Sequence, residues 1–182
     1  MLAQAEHDPV AQSIAVLIGR LDAGELVAEV ERQIKEAPRK KVLEKSIPDH
    51  GMIIQVEDEE AALELINQKA PEHLELMVKN ARTFSSRVKH AGSIFVGNYA
   101  VEAIGDYIAG PNHVLPTGGS ARRFSALSVQ DFLKMTQVIE CTQKGLEAVG
   151  KQAAVIADRE GLDAHAQSIR LRMKSNGRKK VS

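Results

Sequence analysis

The chain has 182 residues, 43% of them hydrophobic, and 24 basic and 24 acidic side chains give a formal net charge of zero. This length can bury one core with an appendage, and the balanced charge argues against nucleic acid or an anionic membrane as the main partner. No signal peptide or membrane-spanning run is evident, and the single cysteine excludes an internal disulfide framework. These features predict a cytoplasmic protein.

The first 127 residues alternate predicted strands and helices, and we interpret them as one domain. Short apolar runs predict strands, and apolar residues at helical spacing predict helices between them. The predicted strands are 13–19, 51–56, 72–78 and 92–97, and the predicted helices are 23–37, 57–70 and a short one near 80–88. This alternation favours crossover units and a mainly parallel α/β sheet.

The pattern changes to helical spacing throughout residues 128–174, which contain no strand candidate. Gly145 and Gly161 are predicted breaks, giving about three helices, and Cys141 is predicted to be a buried small residue. Residues 175–182 are interpreted as a disordered basic tail.

The segment GDYIAGPNHVLPTGG, residues 105–119, follows the fourth predicted strand and contains no run long enough for a helix or strand. A long loop in a compact chain is usually a binding loop, and ligands of open α/β sheets gather at the carboxyl ends of strands. Asp106 and His113 are therefore candidate site residues.

Other candidate residues lie far from this loop in the chain. Imidazole and carboxylate groups are ordinary zinc ligands, and an amide oxygen is an admissible one. Gln4 and His7 would share one face of a helical turn. Taken singly, His73, His113 and His165 are more often exposed or satisfied histidines. Glu72 and His73 could divide proton transfer, although neighbours in a strand point to opposite faces unless they lie at its end.

Four blocks of sequence together resemble the C-terminal half of the histidinol dehydrogenase family. The most specific is the GDY…AGPNHVLPT motif, and the order of all four agrees with the family. They are AQAEHDPVAQSIAVL, APEHLEL, AGSIFVGNYAVEAIGDYIAGPNHVLPTGGSARRFSALSVQDFLK and EGLDAHAQSIRLRM. The fold that this resemblance implies is an incomplete Rossmann-like, mainly parallel α/β sheet with a C-terminal helical appendage.

The resemblance also implies an activity, the NAD-dependent two-step oxidation of L-histidinol to L-histidine with one zinc ion per site. The zinc ligands would be Gln4, His7, Asp106 and His165. Glu72 and His73 would be the catalytic pair, and the residues contacting the substrate would be His73, Asp106, His113, Glu160 and His165.

The same resemblance implies a homodimer in which residues 128–174 cross to the second subunit, so that His165 and Glu160 complete the neighbour's site. The N-terminal half of the family is absent from this sequence, and with it the residues that contact NAD. A chain that starts within a polar, functional cluster is expected to have lost upstream sequence, and that missing half is a further expected partner.

Three interpretations remain open from the sequence. The chain is part of a dehydrogenase that needs the missing half, or it is a stand-alone zinc- or imidazole-binding module without redox turnover. The third is a non-functional truncation that retains the motifs.

Overall fold

The computed structural model describes residues 1–174 and divides between Phe132 and Leu133 into two compact units. The predicted basic tail, 175–182, lies outside the described residues. None of the described helices is long and apolar enough to cross a membrane.

The first unit alternates strands and helices, which confirms the α/β class. Its strands are β1 (Ser13–Ile18), β2 (Gly51–Val56), β3 (His73–Leu76) and β4 (Ser93–Val96). Its helices are α1 (Leu2–Ala5), α2 (Ala23–Glu36), α3 (Lys40–His50), α4 (Glu59–Lys69), α5 (Ala81–Ser85) and α6 (Glu102–Tyr107). Two short 3₁₀ turns follow at Ser120–Arg122 and Val129–Phe132.

All strand pairing among the described residues is parallel, as predicted, but it forms two separate ladders. β1 pairs with β2 in register from Ser13 opposite Gly51, and β3 pairs with β4 from His73 opposite Ser93. Each ladder has two strands, and the mainly parallel sheet that was predicted is divided between them. Side chains rather than backbone hydrogen bonds join the two ladders.

The apolar core of the first unit connects the ladders through α4. Ala62 and Ile66 of α4 are buried with Leu76 of β3 and Phe84 of α5. Half-buried residues from both ladders pack against this cluster, among them Val16, Val56, Leu74 and Ile94. Asp58 caps α4 by accepting a hydrogen bond from the Ala61 N–H at 2.9 Å, a favourable way to begin a helix.

α3 is a helix that the sequence pattern did not predict, and it fixes the start of the chain. Leu43 and Ser46 of α3 are fully buried, and the Ser46 hydroxyl donates to the Ala5 carbonyl at 2.7 Å. The Ser13 hydroxyl donates to the Met1 carbonyl at 2.9 Å. Both bonds hold α1, and therefore Gln4, against the α/β unit.

The described residues of the second unit, 133–174, contain two helices, α7 (Gln143–Arg159) and α8 (Asp163–Lys174), rather than about three. They pack through buried Ala154, Ala157 and Ala166. Gly161, with φ of 72°, separates the helices as predicted. Gly145 does not break a helix, because it lies in the first turn of α7 and its N–H is bound by the Thr142 side chain.

Residues 133–142 are not helical, and their side chains are exposed. Cys141 is one of them, so the prediction that it is buried was wrong. The apolar spacing of this segment indicated a helix, but its side chains are exposed rather than packed in a core. Most helical stability comes from such packing.

Candidate functional site

α6 lies over one face of the β3–β4 ladder. His73 and Glu75 are two residues apart in β3 and therefore point to the same face, where Phe95 of β4 stands in register with Glu75. The Glu102 N–H at the start of α6 donates to the Glu75 Oε1 at 2.8 Å. A Cβ atom at Gly105 would lie 2.6 Å from the Phe95 ring, so glycine is what permits this close approach.

Three ligand-type side chains meet between α6 and β3. Glu102 and Asp106 are four residues apart and share one side of the helix. The His73 Nε2 lies 3.8 Å from the Glu102 Oε1 and 4.0 Å from the Asp106 Oδ1. We call His73, Glu102 and Asp106 the central cluster. Within residues 1–174 it is the only group of three or more His, Cys, Asp or Glu residues whose ligand atoms all lie within 4.8 Å of one another.

The central cluster is largely buried and incompletely paired. The side chains of Glu102, His73 and Asp106 are 12%, 17% and 23% exposed. Both ring nitrogens of His73 and the Glu102 Oε1 are buried and make no hydrogen bond in the described part of the chain. A buried polar atom without a partner costs about 1–3 kcal/mol, so the cluster suits a cation or a hydrogen-bond donor placed between its members.

The pKa of Glu102 reflects its burial beside Asp106. Burial raises the pKa of the Glu102 carboxyl, and Asp106 raises it further through a hydrogen bond and through its charge. The charges of the His73 and His7 imidazoles act in the opposite direction on the same pKa. His7 is therefore near enough to the central cluster to affect it electrostatically.

The predicted pair Gln4 and His7 lies on a short turn rather than on one helical face. α1 ends at Ala5, and the His7 N–H donates to the Gln4 carbonyl at 3.4 Å just beyond it. Gln4 is half-buried and His7 is exposed. His7 does not join the central cluster within 4.8 Å among the described residues, and its role as a metal ligand stays a prediction.

Glu72 and His113 occupy two different environments in the first unit. Glu72 precedes β3 and is half-buried, and its carbonyl accepts a hydrogen bond from the Ser93 N–H at 2.8 Å. His113 is exposed in the irregular segment after α6, where the neighbouring Asn112 side chain accepts from the Val114 N–H.

Glu160 and His165 belong to the second unit, and both are exposed. Glu160 is the C-terminal cap of α7, and His165 lies in the first turn of α8. Their predicted contribution to a neighbour's site stays a prediction, as do the roles of Glu72 and His113.

Two expectations about the loop need correction. Asp106 lies in a helix, not in an irregular loop, because α6 begins at Glu102. The central cluster lies over the face of the ladder near the amino end of β3, where His73 is the first residue, rather than at the carboxyl end of β4. The helix folds back over the strands because Gly105 allows contact with Phe95.

Glu102 is a site residue that sequence reasoning missed. The spacing of Glu102 and Asp106 in the segment EAIGD was an available signal, since it places both carboxylates on one side of a helical turn. The Arg122 guanidinium donates to the backbone carbonyls of Gly119 and Gln68, which fastens the residues after the site to the end of α4.

Comparisons with known proteins agree on one family. The family model described as histidinol dehydrogenase matches residues 1–173. The chain is 50% identical over 175 residues to histidinol dehydrogenase of Synechococcus sp., covering 96% of this chain and 40% of that protein. It is 46% identical to the Acinetobacter baylyi enzyme of the same name, covering 94% of this chain and 40% of the relative.

A solved structure gives the same result. The crystal structure of histidinol dehydrogenase from Elizabethkingia anophelis is similar with a TM-score of 0.85 and 33% sequence identity, over 96% of this chain and 40% of that one. The chain therefore spans about 40% of the length of the relatives that it matches.

Proposed function

Since this chain belongs to the histidinol dehydrogenase family, we propose that it carries the zinc- and substrate-binding part of an enzyme that oxidises L-histidinol to L-histidine with NAD⁺. One observation carries this proposal. His73, proposed as the base, has its Nε2 4.0 Å from the Oδ1 of Asp106, proposed as a metal ligand. A base and a metal ligand this close can act on one substrate.

The donor chemistry of the site fits the implied zinc ion. Asp106 offers a carboxylate. The buried atoms of the central cluster that lack a hydrogen-bond partner would be stabilised by a positive charge beside it. Gln4, His7 and Asp106, with His165 of a second copy, would hold the ion. Bound there, zinc would supply the charge that anchors the imidazole and amino groups of L-histidinol.

His73 would act first on the bound substrate. It would take the proton from the alcohol oxygen while hydride leaves the same carbon for NAD⁺, which gives the aldehyde. Glu72 would then remove a proton from a water molecule that adds to the aldehyde carbon. A second hydride would then leave this hydrate for a second NAD⁺, and the hydrate's hydroxyl protons would pass to His73 and to solvent, which gives the carboxylate of L-histidine. His113 and Glu160 would contact the substrate.

The whole reaction needs partners beyond one copy of this chain. The residues that bind NAD⁺ are proposed to lie in the part of the relatives that this chain does not span. A two-fold homodimer would bring Glu160 and His165 to the neighbour's site. Apolar side chains on α7 that are exposed in the single chain support such an interface, including Val149 and Ile156. The reaction fits a cytoplasmic location, where NAD⁺ is supplied.

A second candidate is a zinc- or imidazole-binding module without redox turnover. The observation that favours it is the position of the central cluster, which lies entirely in the first unit and draws on no other chain. Such a module would bind its ligand with the missing half absent.

Reconstitution separates the two candidates. The chain would be combined with zinc, L-histidinol and NAD⁺, with and without the remaining N-terminal part of the Synechococcus relative, and NADH absorbance followed. We expect turnover only when both parts are present, and its loss on Asp106→Ala. Zinc binding without turnover in either mixture would favour the binding module. Turnover by this chain alone would contradict the proposed location of the NAD⁺ site.

A further inference from the structure

Glu102 is the member of the central cluster to which the proposed function gives no task. Its side chain is the most buried of the three, with 12% exposed. The Glu102 Oε1 has no hydrogen-bond partner among the described residues and lies 3.8 Å from the equally unpartnered His73 Nε2. A buried carboxylate oxygen that faces an imidazole nitrogen and makes no hydrogen bond to it requires an explanation.

The position of Glu102 is fixed by contacts that the backbone of α6 makes with the β3–β4 ladder. The first residue of α6 is fixed to β3 by the Glu75 carboxylate, and Gly105 lets the helix approach the ladder closely. The turn from Glu102 to Asp106 then presents both carboxylates to His73. The three groups are thus positioned in advance by one hydrogen bond, one glycine and one helical turn.

We propose that in the single chain a divalent cation binds between the His73 Nε2, Glu102 and Asp106, with no ligand from a second copy. One imidazole and two carboxylates are ordinary zinc ligands, and three protein ligands with one open position are typical of sites that also accept a small molecule. The cation would satisfy the His73 Nε2 and the Glu102 Oε1 together.

The distances are close to those that zinc requires. Two ligands on a tetrahedral zinc ion are about 3.4 Å apart. The observed separations from the His73 Nε2 are 3.8 Å to Glu102 and 4.0 Å to Asp106. Side-chain movements of a few tenths of an ångström would bring both carboxylates to this distance from His73, and all three ligand atoms already lie within 4.8 Å of one another.

This inference rests on the proposed function for the presence of a metal at Asp106, but it assigns a different ligand set to the isolated chain. A cation on the His73 Nε2 prevents that nitrogen from taking a proton. The isolated chain therefore holds its metal in a resting position. His73 can act as the proposed base only where the ion is held by the ligand set of the proposed function.

Zinc binding by the chain itself tests the inference. Isothermal titration would be carried out at a concentration at which analytical ultracentrifugation shows single chains. The samples are the wild-type chain, Glu102→Gln, His165→Ala and Glu64→Gln, the last a control at an exposed glutamate of α4. We expect one zinc per chain, and Glu102→Gln should weaken its affinity by about tenfold or more. His165→Ala and Glu64→Gln should leave the affinity unchanged.

A second measurement does not depend on any variant. In a long-range ¹H–¹⁵N spectrum of the wild-type chain under the same conditions, where it is a single chain, zinc should shift the Nε2 resonance of His73 and leave those of His165 in place. If zinc does not shift the His73 Nε2 resonance, the inference is overturned. This result can be obtained even if Glu102→Gln fails to fold.

The remaining outcomes separate the inference from the proposed function. If Glu102→Gln binds zinc like wild type while His165→Ala loses it, the inference is overturned and the proposed ligand set stands. If Asp106→Asn binds zinc like wild type, both are overturned.

Discussion

The Glu75 carboxylate accepts a hydrogen bond from the Glu102 N–H at 2.8 Å, and this bond ties the start of α6 to the middle of β3. The first N–H groups of a helix have no partner within the helix, so Glu75 supplies one from the neighbouring strand. Because this bond fixes the start of α6, which carries both Glu102 and Asp106, the geometry of the central cluster depends on Glu75, an exposed residue outside it.

We expect Glu75→Ala to lower the free energy of unfolding by about 1 kcal/mol, the usual contribution of a side-chain acceptor at a helix start. It should also weaken zinc binding, since α6 loses its attachment to β3. Urea unfolding and zinc titration measure the two effects. Glu75→Gln, which keeps an acceptor oxygen, is the matched control and should retain most of both properties.

Gly105 gives a second prediction, because helix propensity favours alanine at this position whereas the contact with the Phe95 ring favours glycine. Alanine is preferred over glycine inside a helix by about 1 kcal/mol, but its Cβ would lie 2.6 Å from the Phe95 ring. We expect Gly105→Ala to destabilise the chain by about 1–3 kcal/mol, as overpacking does. Urea unfolding measures the change.

The double variant Gly105→Ala with Phe95→Leu is the informative control. Removing the ring should remove the clash, so the alanine should cost less in the Phe95→Leu background than in wild type. Equal costs in both backgrounds would mean that the approach of α6 to β4 does not depend on this glycine.

The raised pKa of Glu102 predicts a pH dependence of stability. A carboxyl with a higher pKa in the folded than in the unfolded state binds more protons when folded, so the free energy of unfolding falls as pH rises through that interval. The interval begins at the ordinary value of 4.5 and ends at the raised pKa of the folded protein. Below 4.5 the stabilising contribution is fully present.

Urea unfolding of the metal-free chain at a series of pH values measures this slope. Glu102→Gln carries no proton equilibrium at this position, so wild type should lose stability relative to Glu102→Gln as pH rises above 4.5. Parallel pH profiles for the two chains would show that Glu102 has the same pKa folded and unfolded. Glu64→Gln should follow the wild-type profile.

The sequence predicted those elements whose stability is local and missed those that depend on contacts across the fold. Strands β1 and β2 consist of apolar runs, and α4 has acidic residues in its first turn. A short window of sequence contains these features. α3 was missed because its charged surface obscures the few residues, Leu43 and Ser46, that it buries. Residues 133–142 were predicted as helix because apolar spacing does not reveal whether a packing partner exists.

The candidate site was only partly predictable for the same reason. Asp106 and His73 were identified from their motifs, but no spacing in the sequence indicates that α6 returns over β3. That return depends on the Glu75 hydrogen bond and on the contact between Gly105 and Phe95. Glu102 therefore became recognisable as a site residue only with the structure.

The exposed apolar face of α7 provides a test of the proposed homodimer. Val149 and Ile156 are seven residues apart and lie on one face of the helix, with 58% and 59% of their surfaces exposed. Glu160, the proposed substrate contact of the neighbouring subunit, is four residues beyond Ile156 and shares that face. A homodimer that buries this face would carry Glu160 to its partner.

We expect Ile156→Asp to convert the dimer to a monomer, because a buried interface does not accept an unpaired carboxylate. The helix pair itself should stay folded, since α7 and α8 pack through Ala154, Ala157 and Ala166 rather than through Ile156. Analytical ultracentrifugation measures the association, and circular dichroism the helix content. Lys151→Asp, at an exposed polar position of α7, should leave the dimer intact. A monomeric wild-type chain, or a dimer that survives Ile156→Asp, would mean that Glu160 and His165 do not reach a neighbour through this face.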